Sequence, residues 1–484
     1  MRTFTAKHVA VLPPSGIRKF FDIVATMDNV ISLGVGEPDF PTPERVRKAA
    51  MQSLEEGKTR YSSNWGMPKL REEISHYLQR RFGLQYDSDQ ILCTIGASEA
   101  IDVTLRTVLE PGDEVLVPEP SYVAYKPIVE LQHGVPVAVT TTAEEEFRLT
   151  AQALEAAITE KTKGLILPYP NNPTGAILER EDLEKIAAVC IQHDLLVISD
   201  EIYAELTYDG KNHVSIASVE GMKERTVVLN GFSKSFSMTG WRLGYAAGPK
   251  ALMKVINKVH AYIIMCAPSV SQYGAIEALR EDALCDADIA RMRDAYEQRR
   301  EYLVRALNEM GLSCFMPRGA FYVFPSIQTT GLTSQQFCER LLYEAGVAVV
   351  PGDAFGESGE GHVRISYAYS MELCDSNGHS AYYNIGGCLW RTYFSTHYTI
   401  RQHLVNWSRI WYRGIFNCHH WIYSRLFNTG FYLQKKSRWY FRGIKEAGVY
   451  KTLPPPLSLR LSLLCFPLSK FPLPLLALEK GLYL

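Results

Sequence analysis

Residues 230–245 read NGFSKSFSMTGWRLGY, and they follow TVVL, an apolar and β-branched run that predicts a buried strand. At the end of this strand, Lys234 and Arg242 stand eight residues apart among hydroxyl side chains and glycines. A buried ammonium group is costly unless it has a partner or a chemical task. The pattern fits a surface turn with scattered cations. It also fits a lysine that forms a Schiff base beside an arginine that holds an anion.

Three further polar residues stand at the ends of predicted strands. Asn172 lies in NNPTG, and Asp200 and Tyr203 lie in SDEIY. Each has an ordinary explanation, because Asn172 could form a turn, Asp200 could cap a helix and Tyr203 could pack in a core. These residues nevertheless end consecutive strands of one pattern, and parallel sheets bind ligands beyond the carboxyl ends of their strands. Their shared position favours a functional site.

These residue types suit pyridoxal 5′-phosphate (PLP). A lysine amine can bind its aldehyde and move protons at the substrate's α-carbon, while a carboxylate keeps its pyridine nitrogen protonated. Its phosphate needs an arginine, hydroxyls and the N–H groups of a helix start. TIGASEA at 94–100 is a candidate for that helix start, although Ser98 could also be an ordinary N-cap. A second arginine, Arg364, suits the substrate carboxylate because a guanidinium binds it at two points.

Strand-like and helix-like segments alternate along the first 370 residues. The predicted strands are QILCTI (90–95), DEVLVPEP (113–120), KGLILPYP (163–170), LLVISDEIY (195–203), RTVVLNGFSK (225–234) and YAAGP (245–249). Helix-length segments between them predict an α/β fold with a mainly parallel central sheet and helices on both faces. A long helical pattern at 288–311 follows, and then strand-like 320–327, helical 334–346 and strand-like 347–352 and 362–370. This second group predicts a smaller α+β domain.

Composition narrows the class of protein. The net charge of −1 gives no indication of nucleic-acid binding. Ten cysteines without a C-x-x-C pair indicate reduced thiols in a cytosolic protein. The first residues show no secretory signal, and no stretch of eighteen clean apolar residues indicates a membrane span. The motifs predict no metal site.

Five motifs of this sequence resemble those of a known family. SKSFSMTGWRLGY, NNPTG, SDEIY, GVGEPDF (34–40) and YSSNWGMPKLRE (61–72) occur in the order typical of class I/II, fold-type I aminotransferases. The resemblance covers roughly residues 15–371. It is strongest to the bacterial subgroup of aspartate, aromatic and N-acetyl-diaminopimelate aminotransferases. It implies a PLP-dependent enzyme of amino acid metabolism that passes an amino group from an L-amino acid to a 2-oxo acid in a ping-pong mechanism.

The resemblance implies a role for each residue of the expected site. Lys234 carries the Schiff base, Asp200 pairs with the pyridinium nitrogen, and Tyr203 and Asn172 hold the ring's phenolic oxygen. The remaining expected contacts are ring stacking by Tyr122, phosphate binding by Ala97, Ser98, Ser233 and Arg242, phosphate binding in the other subunit by Tyr61, and α-carboxylate binding by Gly36, Asn172 and Arg364. The role of Tyr61 implies a homodimer with shared active sites. Alternatives on the same scaffold are a PLP-dependent β-lyase and a non-catalytic PLP-binding module.

The expected domains are an N-terminal arm with part of the small domain (1–44), a large PLP-binding domain (45–285) and a small C-terminal domain (286–371). The chain up to residue 370 holds 37 Lys+Arg and 48 Asp+Glu, whereas the rest holds 14 and 4. The rest also lacks the amphipathic helix that the family places after the Arg364 strand. Residues 372–484 are therefore expected to be an out-of-frame or disordered tail, with a basic accessory domain as the alternative.

Overall fold

The structure is a computed structural model that describes residues 4–12, 27, 30–280 and 284–369. The expected tail at 372–484 lies outside the described residues. The described chain contains twelve strands: β1 (Ile31–Ser32), β2 (Ile91–Thr94), β3 (Glu114–Glu119), β4 (Val135–Thr140), β5 (Thr162–Leu167), β6 (Leu196–Asp200), β7 (Thr226–Gly231), β8 (Gly244–Ala247), β9 (Tyr322–Val323), β10 (Val347–Ala348), β11 (Val350–Pro351) and β12 (Val363–Ser366).

Seven of these strands form the central sheet, in the order β2-β8-β7-β6-β5-β3-β4. The five strands from β7 to β4 run parallel, and β8 is antiparallel to both of its neighbours. The predicted mainly parallel sheet is therefore confirmed. The sequence did not indicate β4, an edge strand with mostly exposed or half-buried side chains and a proline at position 136. Such a strand lacks the buried apolar run by which the other strands were recognised.

Helices cover both faces of this sheet. The helices of the described chain are α1 (Lys7–Ala10), α2 (Glu44–Glu55), α3 (Pro68–Phe82), α4 (Gly96–Val108), α5 (Tyr125–Leu131), α6 (Ala151–Ala156), α7 (Arg180–Gln192), α8 (Lys250–Ile263), α9 (Ser269–Ala278), α10 (Leu284–Glu309) and α11 (Ser334–Ala345). Successive residues of β7 show the two faces, because Val227 and Leu229 pack with α4 and α8 while Val228 packs with α3 and α9. None of the described helices is long and apolar enough to cross a lipid bilayer.

Two small sheets lie outside the central sheet. β11, β12 and β9 form an antiparallel sheet, and β1 pairs in parallel with β10. The N-terminal strand β1 thus joins the C-terminal part of the chain, and Ser366 N donates to Leu33 O at 2.8 Å. These pairings confirm the expected mixture of helix and strand after residue 286. They also bring the GVGEPDF segment next to Arg364 of β12.

The NNPTG turn touches the segment that leads into β9. Gly175 N donates to Asn171 O, and Gly319 N donates to Gly175 O, both at 2.9 Å. Gly175 has a φ of +73°, and a Cβ there would lie 2.5 Å from Pro317 Cβ and 2.9 Å from Tyr322 O. Both the backbone conformation and the close approach therefore require glycine. This contact fixes the turn that carries Asn172 against β9.

We predict that Gly175→Ala destabilises the protein more than Gly210→Ala does. Gly210 also has a positive φ, +67°, but a Cβ there would meet nothing within 4 Å. The control should cost about 1–2 kcal/mol for the left-handed backbone, and Gly175→Ala about 1–3 kcal/mol more because overpacking adds to it. Urea unfolding of the two variants measures the difference. Equal losses would show that the contact with β9 is not tight.

Candidate active site

The expected site residues surround one cavity of about 360 Å³. Its lining includes eleven of the twelve: Gly36, Ala97, Ser98, Tyr122, Asn172, Asp200, Tyr203, Ser233, Lys234, Arg242 and Arg364. The cavity lies where β5, β6 and β7 end, because Asn172 follows β5, Asp200 ends β6 and Lys234 follows β7. Parallel strands bring their carboxyl ends to one edge of the sheet, so residues far apart in the chain meet there.

Lys234 points into this cavity from the turn after β7. Its Nζ donates a hydrogen bond to Gly36 O at 2.5 Å. The pKa of Lys234 is lowered to about 8, chiefly by burial and also by the positive charges of Arg364 and Arg242, while the carboxylates of Glu37 and Asp200 oppose the shift. More of the amine is therefore neutral near pH 7 than in an ordinary lysine. A neutral amine is the form that attacks a carbonyl carbon.

Asp200 faces the same cavity from the end of β6. Burial raises the pKa of Asp200 to about 6, and the neighbouring Glu201 raises it as well. Two hydrogen bonds oppose this shift: Tyr125 Oη donates to Oδ2 at 2.8 Å, and Ile202 N donates to Oδ1 at 3.2 Å. Tyr125 was not predicted from the sequence. Its position three residues after Tyr122, one helical turn in PSYVAY, could have indicated that both tyrosines face the site.

Glu201, the residue after Asp200, lies outside the cavity lining but is completely buried. The hydroxyls of Ser199 and Ser215 donate to its Oε1 at 2.8 and 2.5 Å. Its Oε2 lies 2.9 Å from Nε2 of His213. A buried carboxylate is tolerated when polar groups satisfy it, so the two serine hydroxyls help to explain how Glu201 can be buried next to Asp200.

Two tyrosine hydroxyls meet on the other side of the cavity. Tyr203 Oη lies 2.9 Å from Tyr322 Oη, at hydrogen-bond distance. Burial raises the pKa of Tyr203 well above its ordinary value, so its phenol remains protonated and can donate a hydrogen bond. Tyr322 was not predicted from the sequence, because AFYVFPSI reads as an ordinary strand.

Arg364 contacts two aromatic rings. Its guanidinium carbon is 4.5 Å from the ring centroid of Tyr322 and 4.9 Å from that of Phe355. Nη1 donates to Asn172 Oδ1 at 2.9 Å, and Nη2 donates to Gly34 O. Arg364 is 4% exposed, and its Nε has no hydrogen-bond partner among the described residues. A buried cation with a free donor suits a carboxylate ligand.

The opposite end of the cavity is formed by the start of α4. Helix α4 begins at Gly96, so its first N–H groups are free to bind an anion. Arg242 lies beside them, and a Cβ at Gly96 would be only 2.8 Å from Arg242 Nη2. Glu99 holds the turn in place, because its carboxylate accepts from Ile95 N and lies 2.6 Å from Nδ1 of His260. Ser98 and Ser233 add hydroxyls to the lining.

This donor set fits PLP. A lysine with a lowered pKa, a buried carboxylate and an anion site at a helix start line one cavity, as the aldehyde, ring nitrogen and phosphate require. The close approach of Arg242 to Gly96 leaves no room for a larger residue beside the phosphate site. Arg364 provides a further cationic group in the same lining.

Tyr61 is the one expected residue that the structure does not bring to the cavity. It is 81% exposed and does not belong to the lining. The neighbouring residues are fixed, because Ser269 Oγ donates to Arg60 O at 2.6 Å and Gln272 Nε2 donates to Ser62 Oγ at 2.9 Å. Tyr61 therefore extends outward from an ordered surface.

We predict that Lys234 of the cofactor-free protein reacts with an amine-specific reagent at lower pH than ordinary lysines do. The labelling of its peptide should rise with a midpoint near pH 8, because burial lowers its pKa to about 8. An ordinary lysine needs a pH of about 10.4 for half-deprotonation. Peptide mass spectrometry across pH 6–11 measures both kinds of site in one sample, with Lys234→Arg as the control. Labelling of Lys234 that rises only together with surface lysines would contradict this prediction.

Comparison with known proteins also indicates a PLP-dependent enzyme. The profile of the family "Aminotransferase class I and II" matches residues 28–376. An aspartate aminotransferase of Pyrococcus abyssi is 49% identical over 360 residues, which cover 74% of this chain and 92% of that protein. An aromatic-amino-acid aminotransferase of Thermococcus litoralis is 47% identical over 366 residues, 75% of this chain and 94% of that protein.

The fold is shared with solved structures as well. The crystal structure of an aromatic aminotransferase from Pyrococcus horikoshii superimposes with a TM-score of 0.71 at 44% identity, and the match covers 78% of this chain and 97% of that one. The expectations of family, fold class, activity and cofactor are thereby confirmed. The chain belongs to the class I and II aminotransferases, and it is a PLP-dependent enzyme that transfers amino groups.

Proposed function

We propose that the cavity at the ends of β5, β6 and β7 is the active site at which this aminotransferase transfers amino groups. The observation that carries the proposal is the convergence of Lys234, Asp200 and Arg242 on one cavity of about 360 Å³ that also contains Arg364. The three kinds of group that a PLP enzyme needs are thus arranged around a single volume. Arg364 adds the site for the substrate's carboxylate.

In this proposal, the start of α4 and Arg242 hold the phosphate, with Ala97, Ser98 and Ser233 as further donors. Asp200 holds the ring nitrogen, and Tyr122 covers the ring. When bound, the cofactor supplies an aldehyde for the amine and a ring that withdraws electrons from the substrate's α-carbon. Asp200 must be ionised to keep the ring nitrogen protonated. The hydrogen bond from Tyr125 lowers the pKa of Asp200 against the effect of burial and so favours that state.

Lys234 moves the proton at the substrate's α-carbon. Its lowered pKa suits this task, because a base works best when its pKa is near the working pH. Tyr203 donates a hydrogen bond to the ring's phenolic oxygen, and Asn172 contributes a second one. Arg364 binds the α-carboxylate with the help of Gly36 and Asn172. A carboxylate bound there has its α-carbon held towards the lysine, which orients the bond that breaks.

We predict that Asp200→Asn leaves PLP bound but slows amino transfer by roughly a hundredfold or more, the range for losing one preorganised electrostatic partner in an active site. An amide of nearly the same shape cannot hold the ring nitrogen protonated. Single-turnover absorbance changes with an amino donor measure the rate. Asp194→Asn is the matched control, because its side chain is 92% exposed. Wild-type half-reaction rates in the Asp200 variant would make Asp200 a structural acid.

The same variant separates function from folding. The pKa of Asp200 is about 6 in the folded protein and about 3.9 in the unfolded chain, because burial raises it. Ionisation of Asp200 therefore lowers the stability of the cofactor-free protein as the pH rises from about 4 to about 6. Asp200→Asn should therefore be at least as stable as wild type at pH 7 without cofactor. Slower catalysis combined with unchanged or higher stability excludes a folding defect as the cause.

We further propose that the enzyme is a homodimer with shared sites. Tyr61 is highly exposed, and Tyr262 and Ile263 at the end of α8 and Met265 just after it are exposed as well. They directly precede the residues of α9 that anchor the segment around Tyr61. An exposed apolar surface of this kind is typical of an interface. In the dimer, Tyr61 would reach the phosphate in the partner's cavity.

We predict that mixing the variants Lys234→Ala and Tyr61→Ala restores activity. Each hybrid dimer would combine both substitutions in one site and leave the other site intact, provided that Tyr61 acts on the partner's site. Activity at limiting PLP, before and after subunit exchange, measures this effect. The control is the double variant mixed with Lys234→Ala, which leaves no dimer with an intact site. Absence of restoration in verified hybrids would place Tyr61 outside the partner's site.

The proposed domains are 1–44 together with 286–371 as the small domain, and 45–285 as the large one. The strands of the central sheet lie between Ile91 and Ala247 of the chain. The strands of the two small sheets come before them, at Ile31–Ser32, or after them, from Tyr322 to Ser366, which supports this division.

We also propose a cytoplasmic location. Its support is that Cys93, Cys190, Cys314 and Cys338 are buried thiols outside any disulfide. An assay with aspartate, an aromatic amino acid and other amino donors, with 2-oxoglutarate as acceptor, identifies the substrate.

A further inference from the structure

Tyr322 of β9 contacts three parts of the site at once. It is 1% exposed, and its hydroxyl lies 2.9 Å from the hydroxyl of Tyr203. Its ring lies on the guanidinium of Arg364, at 4.5 Å from the centroid. A Cβ on Gly36 would be 2.2 Å from the Tyr322 hydroxyl oxygen, so Gly36 packs directly against that oxygen. The position of Tyr322 is therefore fixed from several sides.

The hydrogen bond between the two tyrosines has a definite direction in the working enzyme. Each phenol has one proton to donate. Under the proposed function, Tyr203 gives its proton to a hydrogen bond with the cofactor's phenolic oxygen. The bond between the hydroxyls can then persist only if Tyr322 donates and Tyr203 accepts. A phenol that accepts a hydrogen bond becomes a stronger donor, because hydrogen bonds in a chain polarise one another.

We propose that Tyr322 is a positioning residue for amino transfer: its hydroxyl donates to Tyr203 and strengthens the hydrogen bond from Tyr203 to the cofactor, while its ring orients Arg364 for the substrate carboxylate. This inference rests on the roles of Tyr203 and Arg364 in the proposed function. One side chain would thus connect the part of the site that adjusts the basicity of the cofactor with the part that binds the substrate.

The hydroxyl should affect a pH-dependent property of the loaded enzyme. A cofactor oxygen that receives a weaker hydrogen bond is more basic, so the proton it shares with the lysine-bound nitrogen is lost at higher pH. Other charged or titratable groups also face this region and remain in every variant: Lys234 after β7, Asp200 at the end of β6, Tyr125 on α5, Tyr122 before it, Arg242 before β8, Arg364 on β12 and Glu37 after β1.

The ring should affect substrate binding instead. The guanidinium of Arg364 contacts the rings of both Tyr322 and Phe355, and these two contacts limit its movement. Its Nη1 and Nη2 then keep their bonds to Asn172 and Gly34 while Nε stays free. A bound carboxylate needs this orientation, since a guanidinium binds it in its own plane.

The first measurement is the pH midpoint of the visible absorbance change of the PLP-loaded enzyme. Tyr322→Phe removes the hydroxyl alone and should raise the midpoint by about half a pH unit to one unit, the range of one hydrogen bond. Tyr203→Phe should raise it more, because it removes the donor itself. Tyr86→Phe is the matched control, since the Tyr86 hydroxyl is buried, lies outside the cavity lining and has no hydrogen-bond partner among the described residues. Its midpoint should equal that of the wild type.

The second measurement is KM for the amino donor against kcat. Tyr322→Phe keeps the ring and should leave KM within about twofold of wild type. Phe355→Leu removes one ring from Arg364 and should raise KM about threefold to tenfold without moving the pH midpoint, as expected for the loss of a cation–π contact. Tyr322→Leu should show both effects. If Tyr322→Leu folds poorly, Tyr322→Phe and Phe355→Leu still test the two parts separately.

Different failures identify different errors. If Tyr203→Phe raises the midpoint and Tyr322→Phe does not, the proposal for Tyr322 is wrong and the proposed role of Tyr203 stands. If Tyr203→Phe itself leaves the midpoint unchanged, the proposed role of Tyr203 fails, and the proposal for Tyr322 fails with it. An unchanged KM in Phe355→Leu and Tyr322→Leu would overturn the orienting role of the ring.

Discussion

The site depends on the burial of Lys234 and Asp200 beside one cavity. Burial disfavours the charged form of each group, so it lowers the pKa of the lysine to about 8 and raises that of the carboxyl to about 6. In the proposed function, the lysine benefits from this shift because it acts as a neutral amine. The carboxyl does not benefit, because in that function it stays ionised to hold a cationic ring nitrogen. The same desolvation therefore helps one group and must be opposed at the other.

The surrounding structure supplies that opposition. Tyr125 and the backbone N–H of Ile202 donate to Asp200, and these hydrogen bonds favour its ionised form. Lys234 has a different environment, in which Arg364 and Arg242 act with burial to lower its pKa. Two groups with opposite needs can thus share one cavity because their hydrogen bonds and charged neighbours differ.

The site is assembled from elements that are distant in the chain. The parallel strands provide Asn172, Asp200 and Lys234, and the small sheet provides Arg364 and Tyr322. The tight contact between Gly175 and the segment before β9 fixes these two parts against each other. A shift at that contact would move Arg364 relative to Asp200 and Lys234, the groups to which the proposed function gives substrate binding and proton transfer. Packing between the two sheets is therefore part of the catalytic geometry.

The sequence by itself determined the family, the parallel sheet and most residues of the cavity, because strand ends with NNPTG, SDEIY and FSKS carry their chemistry in local patterns. It did not indicate β4, whose edge position leaves no buried apolar run. Nor did it indicate Tyr322, whose importance arises from contacts with Tyr203, Arg364 and Gly36, residues 42 to 286 positions away. Tyr61 shows the converse, since its motif was recognisable while the structure leaves it 81% exposed. Local patterns specify residue types and strand ends, but only tertiary packing decides which side chains share a desolvated volume and how each pKa shifts there.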